Sequence, residues 1–380
     1  MCGVPMRIVI VGAGPGGLYF SILMKRLARA HDIVVFERDA AGETFGWGVA
    51  FGHPMLETLR RTDPPTYEAL IHRATTWDRI VVCHRNDRVE IRSEPFAGLA
   101  RVVLIDALRA RAAAAGVTLH FQTPVRDVRA LPDADLIVGA DGVHSLVRRC
   151  GADTFGPQLR SAHNQYAWFG VNHRLDALTL AFRRTPAGVF AMHAYPIDAE
   201  HSNVIVECNE PTWSRAGLDR RTDPDACGYL SDAFEPELGG HLLSPSGHVR
   251  WRRFLLVENA RWHAGRLVLI GDALHTVHFS TGAGTQLAID DAVALAGALE
   301  AHRDVDEALD AFEAARRPAA EAARLQAEAS LGWFEGLERL MSLSPVDLAF
   351  RAITETRRID AGRLGEIDPA FAARLGPTSN

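Results

Sequence analysis

Residues 8–17 read Ile8-Val9-Ile10-Val11-Gly12-Ala13-Gly14-Pro15-Gly16-Gly17, followed by a helical stretch from Leu18 to Ala28, a second apolar run from Ile33 to Phe36, and then Glu37. The run Ile8–Val11 has no polar face, which predicts a parallel strand buried on both sides. The glycines let the backbone turn sharply and bring the N-terminus of the next helix against a pyrophosphate. Glu37 lies twenty residues past Gly17 at the end of the second strand, where a carboxylate accepts from both hydroxyls of an adenosine ribose. Strand, glycine turn, helix, strand and acid in register predict a bound dinucleotide. They make Gly12, Gly14, Pro15, Gly17, Glu37 and the adjacent Arg38 candidate cofactor contacts.

The bulk composition sets bounds on the rest. A chain of 380 residues is too long for one small core, which predicts two domains. Its 47% hydrophobic and 23% charged residues are those of a soluble globular enzyme. A formal net charge of -6 argues against a nucleic-acid binder, because phosphate contacts need a basic surface. Arginine pairs such as Arg183-Arg184 and Arg252-Arg253 read as solvated faces, or as contacts for a phosphorylated or carrier-bound substrate. The five cysteines are scattered and odd in number, with no CxxC pair, which suits reduced thiols in the cytoplasm and offers no metal site. No apolar stretch reaches membrane-spanning length and Met1–Pro5 reads as a loose tail, so neither a membrane nor a leader is expected.

Further along, Ile80–Cys83 and Val89–Ile91 predict a hairpin around Asn86-Asp87, Val102–Ala115 a helix ended by Gly116, and 117–121 and 135–140 two more strands. From about residue 156 the character changes. Strands at 166–171, 178–183, 189–195 and 203–208 alternate with turn signals and read as an antiparallel sheet, with a helix at 225–234. Strand and glycine-turn features return at 267–271, before a helix over 286–302 and a helical stretch over 306–340 with Pro318 as its kink. The expected fold is α/β: a Rossmann-type dinucleotide-binding domain with an inserted antiparallel β-sheet domain and C-terminal helices. The discontinuous cofactor domain takes 1–75, 98–155 and 256–300, the substrate-binding sheet domain 76–97 and 156–255, and the C-terminal helical segment 301–380. In that last segment Leu331, Trp333, Phe334, Leu337 and Leu340 offer a face for a homo-oligomer.

Gly139-Ala140-Asp141-Gly142-Val143-His144-Ser145-Leu146-Val147-Arg148 closely resembles the Asp-Gly motif of the single-component (class A) flavoprotein aromatic hydroxylases. Leu269-Ile270-Gly271-Asp272-Ala273-Leu274-His275 resembles their Gly-Asp motif, and Arg101, ahead of Leu104 and Leu108, stands as their phosphate-contacting arginine. The resemblance covers the chain to about residue 335. It implies that the Rossmann-type domain is a glutathione-reductase-like FAD-binding domain holding non-covalent FAD, with Asp272 on the ribityl chain, and NADH or NADPH as a transient electron donor on the same domain. Gly271 and Asp272 close a strand at the carboxyl edge of the sheet. Gly282, Gly284 and Thr285 open the next helix, whose amides can hold the flavin's pyrimidine end. Asp141 either meets the cofactor or caps the segment from Val143. Phe279 and Gln286 replace the proline and asparagine usual in the family. The run His278–Thr285, Phe45-Gly46-Trp47-Gly48-Val49, His193-Ala194-Tyr195 and Val204–Cys208 instead resemble one subgroup, that of salicylyl-CoA 5-hydroxylase, the 2-aminobenzoyl-CoA monooxygenase flavin domain and the violacein-pathway indole hydroxylase.

The resemblance implies a monooxygenase that hydroxylates an aromatic or heteroaromatic ring with dioxygen through a flavin C4a-hydroperoxide, in natural-product biosynthesis or aromatic catabolism. Its substrate is a small aromatic compound, free or tethered to CoA or a carrier. In such a reaction the cofactor carries the chemistry, while the protein positions the ring, excludes water and assists deprotonation. His278, beside the flavin-facing turn, is the candidate for proton transfer on the strength of an ordinary histidine pKa. His193 and Tyr195, two apart on one strand, share a face and either bond the substrate or are satisfied inside the sheet. Trp47 and Phe279 are candidate pocket walls, and Glu207 is an alternate base or a partner of Arg183. A flavin halogenase, an ordinary nicotinamide dehydrogenase and a non-catalytic flavin sensor are the competing readings. The first lacks its Trp-x-Trp-x-Ile-Pro segment, and the second leaves Gly271-Asp272 unexplained.

Overall fold

A computed structural model describes residues 5–43 and 46–375; most of the N-terminal tail and Phe45 lie outside these described residues. The strands, in chain order, are β1 Arg7–Val11, β2 Asp32–Phe36, β3 Gly48–Gly52, β4 Thr75–His84, β5 Asp87–Ala100, β6 Thr118–His120, β7 Leu136–Gly139 and β8 Pro157–Val171. They continue as β9 Leu178–Thr185, β10 Gly188–Pro196, β11 Ser202–Cys208, β12 Leu243–Pro245, β13 Arg252–Asn259, β14 His263–Ala264 and β15 Leu267–Leu269.

The first sheet runs β14-β15-β7-β1-β2-β6, and all its pairs except β14/β15 are parallel. β1 lies at its centre, and Ile8, Val9 and Ile10 are fully buried, as a strand with two apolar faces requires. The helix Pro15–Leu27 leaves β1 directly, with proline at its first turn and Gly14 as its extended N-cap. Gly12 has φ +105, and a Cβ there would lie 2.2 Å from the Ala140 carbonyl oxygen. No L side chain fits that turn, and the close approach of Gly12 to Ala140 sets the glycine loop beside the end of β7.

The second sheet runs β12-β8-β11-β10-β9-β4-β5-β3, with β13 pairing the first part of β8 on the edge that β12 pairs further along, and is antiparallel apart from β4/β9. It reaches further than the sequence reading expected. β3 comes from the glycine-rich connection after β2, β8 has 15 residues, and β5 and β13 run to Ala100 and Asn259. Every residue of β10 and β11 is buried, because helices cover both faces. On one face Phe190 meets Tyr229 of the helix Asp223–Ala233. On the other, Phe182 and His193 meet Phe334 of the helix Val305–Glu335, which runs through Pro318 without interruption.

That second contact corrects one expectation. Leu331, Trp333, Phe334 and Leu337 are 2–7% exposed inside the chain's own core and Leu340 is half-buried against it, so the apolar stripe is largely consumed within the protomer and offers no dimer face. A helical stripe signals burial without saying what covers it.

Replacing Gly12 by alanine should lower stability by at least about 2 kcal/mol, through backbone strain added to overlap with Ala140. The check is a urea midpoint that falls at unchanged m-value; an unmoved midpoint would show that the loop yields freely.

Candidate active site

Two glycine turns distant in sequence meet on one helix. Gly16, in the first turn of Pro15–Leu27, approaches Ala288 so closely that a Cβ would lie 3.1 Å from its carbonyl oxygen. A Cβ on Gly271 would lie 3.2 Å from the Ala288 Cβ. Ala288 belongs to the helix Gly284–Ala301, so the Gly12–Gly17 loop, the Gly271-Asp272 turn and the start of that helix border a single groove. Neither helix N-terminus has a side-chain cap. Their first-turn amides are therefore open donors aimed along the groove.

Glu37 lies beside the glycine loop: its Oε2 accepts from Ala13 N–H at 2.7 Å and its Oε1 from Asp39 N–H at 3.0 Å. Arg38, in contrast, is on the surface, 3.6 Å from Asp39. Asp141 Oδ2 accepts from Leu146 N–H at 2.6 Å and from Val147 N–H at 3.3 Å, so it caps the helix Leu146–Cys150. Its Oδ1 is buried with no protein partner, which leaves an acceptor for a ligand. Arg101 opens the helix Arg101–Ala114 and donates its backbone N–H to Trp47 O at 2.9 Å. Its guanidinium lies within electrostatic reach of Asp272 and Tyr195. Asp272 is solvent-accessible yet deeply set. The low-dielectric surroundings push its carboxyl up, against the pull of Arg101 and His275. An open cradle that a Cβ would fill, uncapped helix amides, a recessed carboxylate and an orphaned Asp141 oxygen fit a dinucleotide joined to a polyhydroxyl chain.

The residue that fixes this turn is one the sequence reading missed. Asp291, fully buried, accepts from Gly271 N–H at 3.0 Å and pairs with His275 Nε2 at 2.7 Å. Arg316 donates to it through Nε at 3.1 Å and Nη2 at 3.0 Å. Burial raises the Asp291 carboxyl, but His275, Arg316 and the Gly271 amide outweigh it and hold it below the ordinary value. The signal was present in the sequence: Leu287, Ala288, Asp291, Ala292 and Leu295 follow helical spacing, which places an acid on the buried stripe.

The second-sheet residues form a compact aromatic group next to the turn Phe279–Thr281. Tyr166, Glu207, Ala191 and Phe182 oppose one another across β8, β11, β10 and β9, and Trp168, Ile205, His193 and Leu180 form the next row on the same face. Phe279 lies 4.8 Å from Tyr166 and 5.4 Å from His193, ring centre to ring centre, and Phe334 lies 4.5 Å from His193. Trp47 lies over Gly170, where a Cβ would be 2.3 Å from its ring. Tyr195 stacks on Trp77 at 6.0 Å, and burial raises its phenol. Gly282 has φ +70 and turns the chain into the helix that carries Gly284 and Thr285.

Two expectations are corrected here. Glu207 does not meet Arg183, which pairs with Glu237, because Arg183 points from the opposite sheet face. Glu207 Oε1 instead lies 2.7 Å from His193 Nε2, and its Oε2 accepts from Asn164 Nδ2 at 3.0 Å. Burial raises this carboxyl, but the hydrogen bond and charge of His193 prevail and lower it. His278, in turn, lacks the ordinary histidine pKa assigned to it. Burial pushes it down to about 4, and its Nδ1 is 2.8 Å from Ser280 Oγ, itself 2.7 Å from Ser330 Oγ.

Comparison with known proteins agrees with this geometry. The FAD binding domain family model matches residues 109–327. Salicyloyl-CoA 5-hydroxylase of a Streptomyces species is 40% identical over 97% of this chain and 73% of its own length. The 3-hydroxy-4-methyl-anthranilyl-[aryl-carrier protein] 5-monooxygenase of Streptosporangium sibiricum is 37% identical over 91% of this chain and 94% of its own. The solved 2-methyl-3-hydroxypyridine-5-carboxylic acid oxygenase shares the fold, with a TM-score of 0.73 at 21% identity over 93% of this chain and 97% of that one. With its motifs joined in one groove and relatives that span it nearly end to end, this chain belongs to the FAD-binding domain family, as an FAD-dependent aromatic-ring monooxygenase of the single-component flavoprotein hydroxylases.

Proposed function

We propose that the enzyme hydroxylates an electron-rich ring carrying an ionisable hydroxyl or amine, presented as a CoA or carrier-protein thioester, and that His193 is the base which deprotonates it. The observation that carries this reading is the 2.7 Å contact between His193 Nε2 and Glu207, both buried, on the sheet face that meets Phe279. With Nε2 committed to a carboxylate, Nδ1 is left to accept a proton, and Glu207 fixes ring orientation and tautomer. The thioester form draws on the relatives, two of which are named for CoA-bound and carrier-bound acids.

FAD, when bound, supplies dioxygen activation and oxygen transfer, with electrons from NADH or NADPH. The glycine loop and the N-terminus of Pro15–Leu27 would hold its pyrophosphate, Glu37 its adenosine ribose, Arg101 its phosphates, Asp272 its ribityl chain, and the Gly282–Thr285 amides its pyrimidine edge. Tyr166, Phe279 and Trp47 wall the ring and exclude water, and Tyr195 keeps Arg101 in place. In our reading the cofactor unit and the inserted sheet unit meet along this groove. We assign the protein to the cytoplasm: Cys83, Cys208 and Cys227 are buried free thiols, and among the described residues no helix is long and apolar enough to cross a membrane.

Purified protein should carry FAD, and NAD(P)H oxidation should rise at least about tenfold more with salicyloyl-CoA than with free salicylate. Equal stimulation would reject the thioester, and a protein that ignores added FAD would reject the whole reading. His193→Gln should lower product formation about 10²- to 10⁴-fold with FAD affinity intact; unchanged turnover removes His193 from the chemistry.

His278 makes a separate prediction. The unfolded chain protonates it near the ordinary histidine value, whereas the folded chain holds it neutral down to about 4. The stability it confers is thus present above the ordinary range and lost as pH falls through it. Between about pH 7 and about pH 5 wild type should lose up to about 2 kcal/mol more than His278→Asn. Parallel urea melts test this, and identical losses would mean that His278 titrates normally in the fold.

A further inference from the structure

We propose that the proton collected by His193 leaves through Glu207 and a one-water cavity on the same sheet face, beside Phe334, and not through the flavin groove. This rests on His193 being the base. His193 is 4% exposed and Glu207 1%, and Tyr166, Phe279 and Phe334 shut the ring side off from water, so a proton taken there needs an exit. Beyond Glu207 lies a cavity of ≈ 10 Å³ lined by Asn164, Ala191, Glu207, Phe334, Glu335 and Glu338. That is about the space one water needs, and its polar lining supplies the partners such a water requires. The outer end is acidic and wet: the Glu335 side chain is 20% exposed and that of Glu338 50%. Glu335 accepts from His163 N–H at 2.6 Å and lies 2.9 Å from its Nδ1, which orients one wall. The other hydroxyl chain in the site, from His278 through Ser280, stops at Ser330, which is 1% exposed, and leads nowhere.

The transfer balances. His193 Nδ1 takes the proton of the ring hydroxyl, and the Nε2 proton passes to Glu207. The carboxylic acid so formed gives it to the cavity water and on to Glu335 or Glu338. No electrons move, and the reverse passage on reprotonation of the product restores the starting tautomer of His193.

The test mixes oxidised, FAD-loaded enzyme with salicyloyl-CoA in weak buffer containing a pH indicator, and follows proton release by stopped flow. Val189→Leu adds a methylene to the cavity wall from β10, at a position that opposes neither His193 nor Glu207 across the sheet. The variant should release the same total of protons as wild type, at least about tenfold more slowly, with FAD affinity unchanged. Release as fast as in wild type overturns the exit route. Absence of any release from wild type overturns the assignment of His193 as base, and the route with it. Because an overpacked variant can fail to fold, a crystal structure of the wild-type holoenzyme gives a second check. An ordered water between Glu207 and Glu335 or Glu338 is expected, and a dry cavity overturns the proposal.

Discussion

Asp291 holds together what the cofactor site depends on. Its carboxylate ties the Gly271 amide, His275 and Arg316 into one buried cluster, and so joins the end of β15 to the helices Gly284–Ala301 and Val305–Glu335. Asp272 projects from the turn that this cluster immobilises. Such a cluster is a costly way to join three elements, since each charge must be desolvated. What it adds over apolar packing is direction: the Gly271 amide is spent on Asp291, so the turn presents the Asp272 side chain to the groove. Loss of one member would leave the others as uncompensated buried charges, which couples the integrity of the groove to that of the fold.

The cofactor half of the molecule was legible because its signals are local. β1 is apolar on both faces, Gly12 admits no side chain, and Gly271-Asp272 ends a strand, so each feature declares itself within a few residues. The polar pair at the centre of the second sheet was not legible. His193 opposes Ile205 and Glu207 opposes Ala191, so the two are diagonal neighbours whose meeting depends on strand register. Spacing along one strand carries no information about register between two. β3 escaped for a different reason: Gly48-Val49-Ala50-Phe51-Gly52 has weak strand propensity and forms by pairing with β5. His278 was placed correctly beside the turn, but its pKa follows from tertiary burial, which a sequence does not display.

The C-terminal helices serve the site as much as the core. Trp333 and Phe334 pack on Phe182, Phe334 reaches His193, and Ser330 bonds Ser280 in the turn Phe279–Thr281. The helix that supplies Arg316 to Asp291 thus ends by packing Phe334 on His193. One continuous helix contacts both the Gly271-Asp272 turn, through Asp291, and His193, through Phe334.

The buried ion pairs in this protein separate into two kinds. Asp63 with Arg26 and Arg111, and Arg183 with Glu237, link segments far apart in the chain. His193 and Glu207 lie on adjacent strands already held by a full hydrogen-bond ladder, so their contact adds no connection. Apolar side chains at both positions would pack between Phe279, Phe334 and Asn164 without the desolvation penalty of a carboxylate. The fold does not call for this pair. Under the proposed function it is the chemistry of the substrate, more than the stability of the sheet, that accounts for a charged group at the centre of these strands.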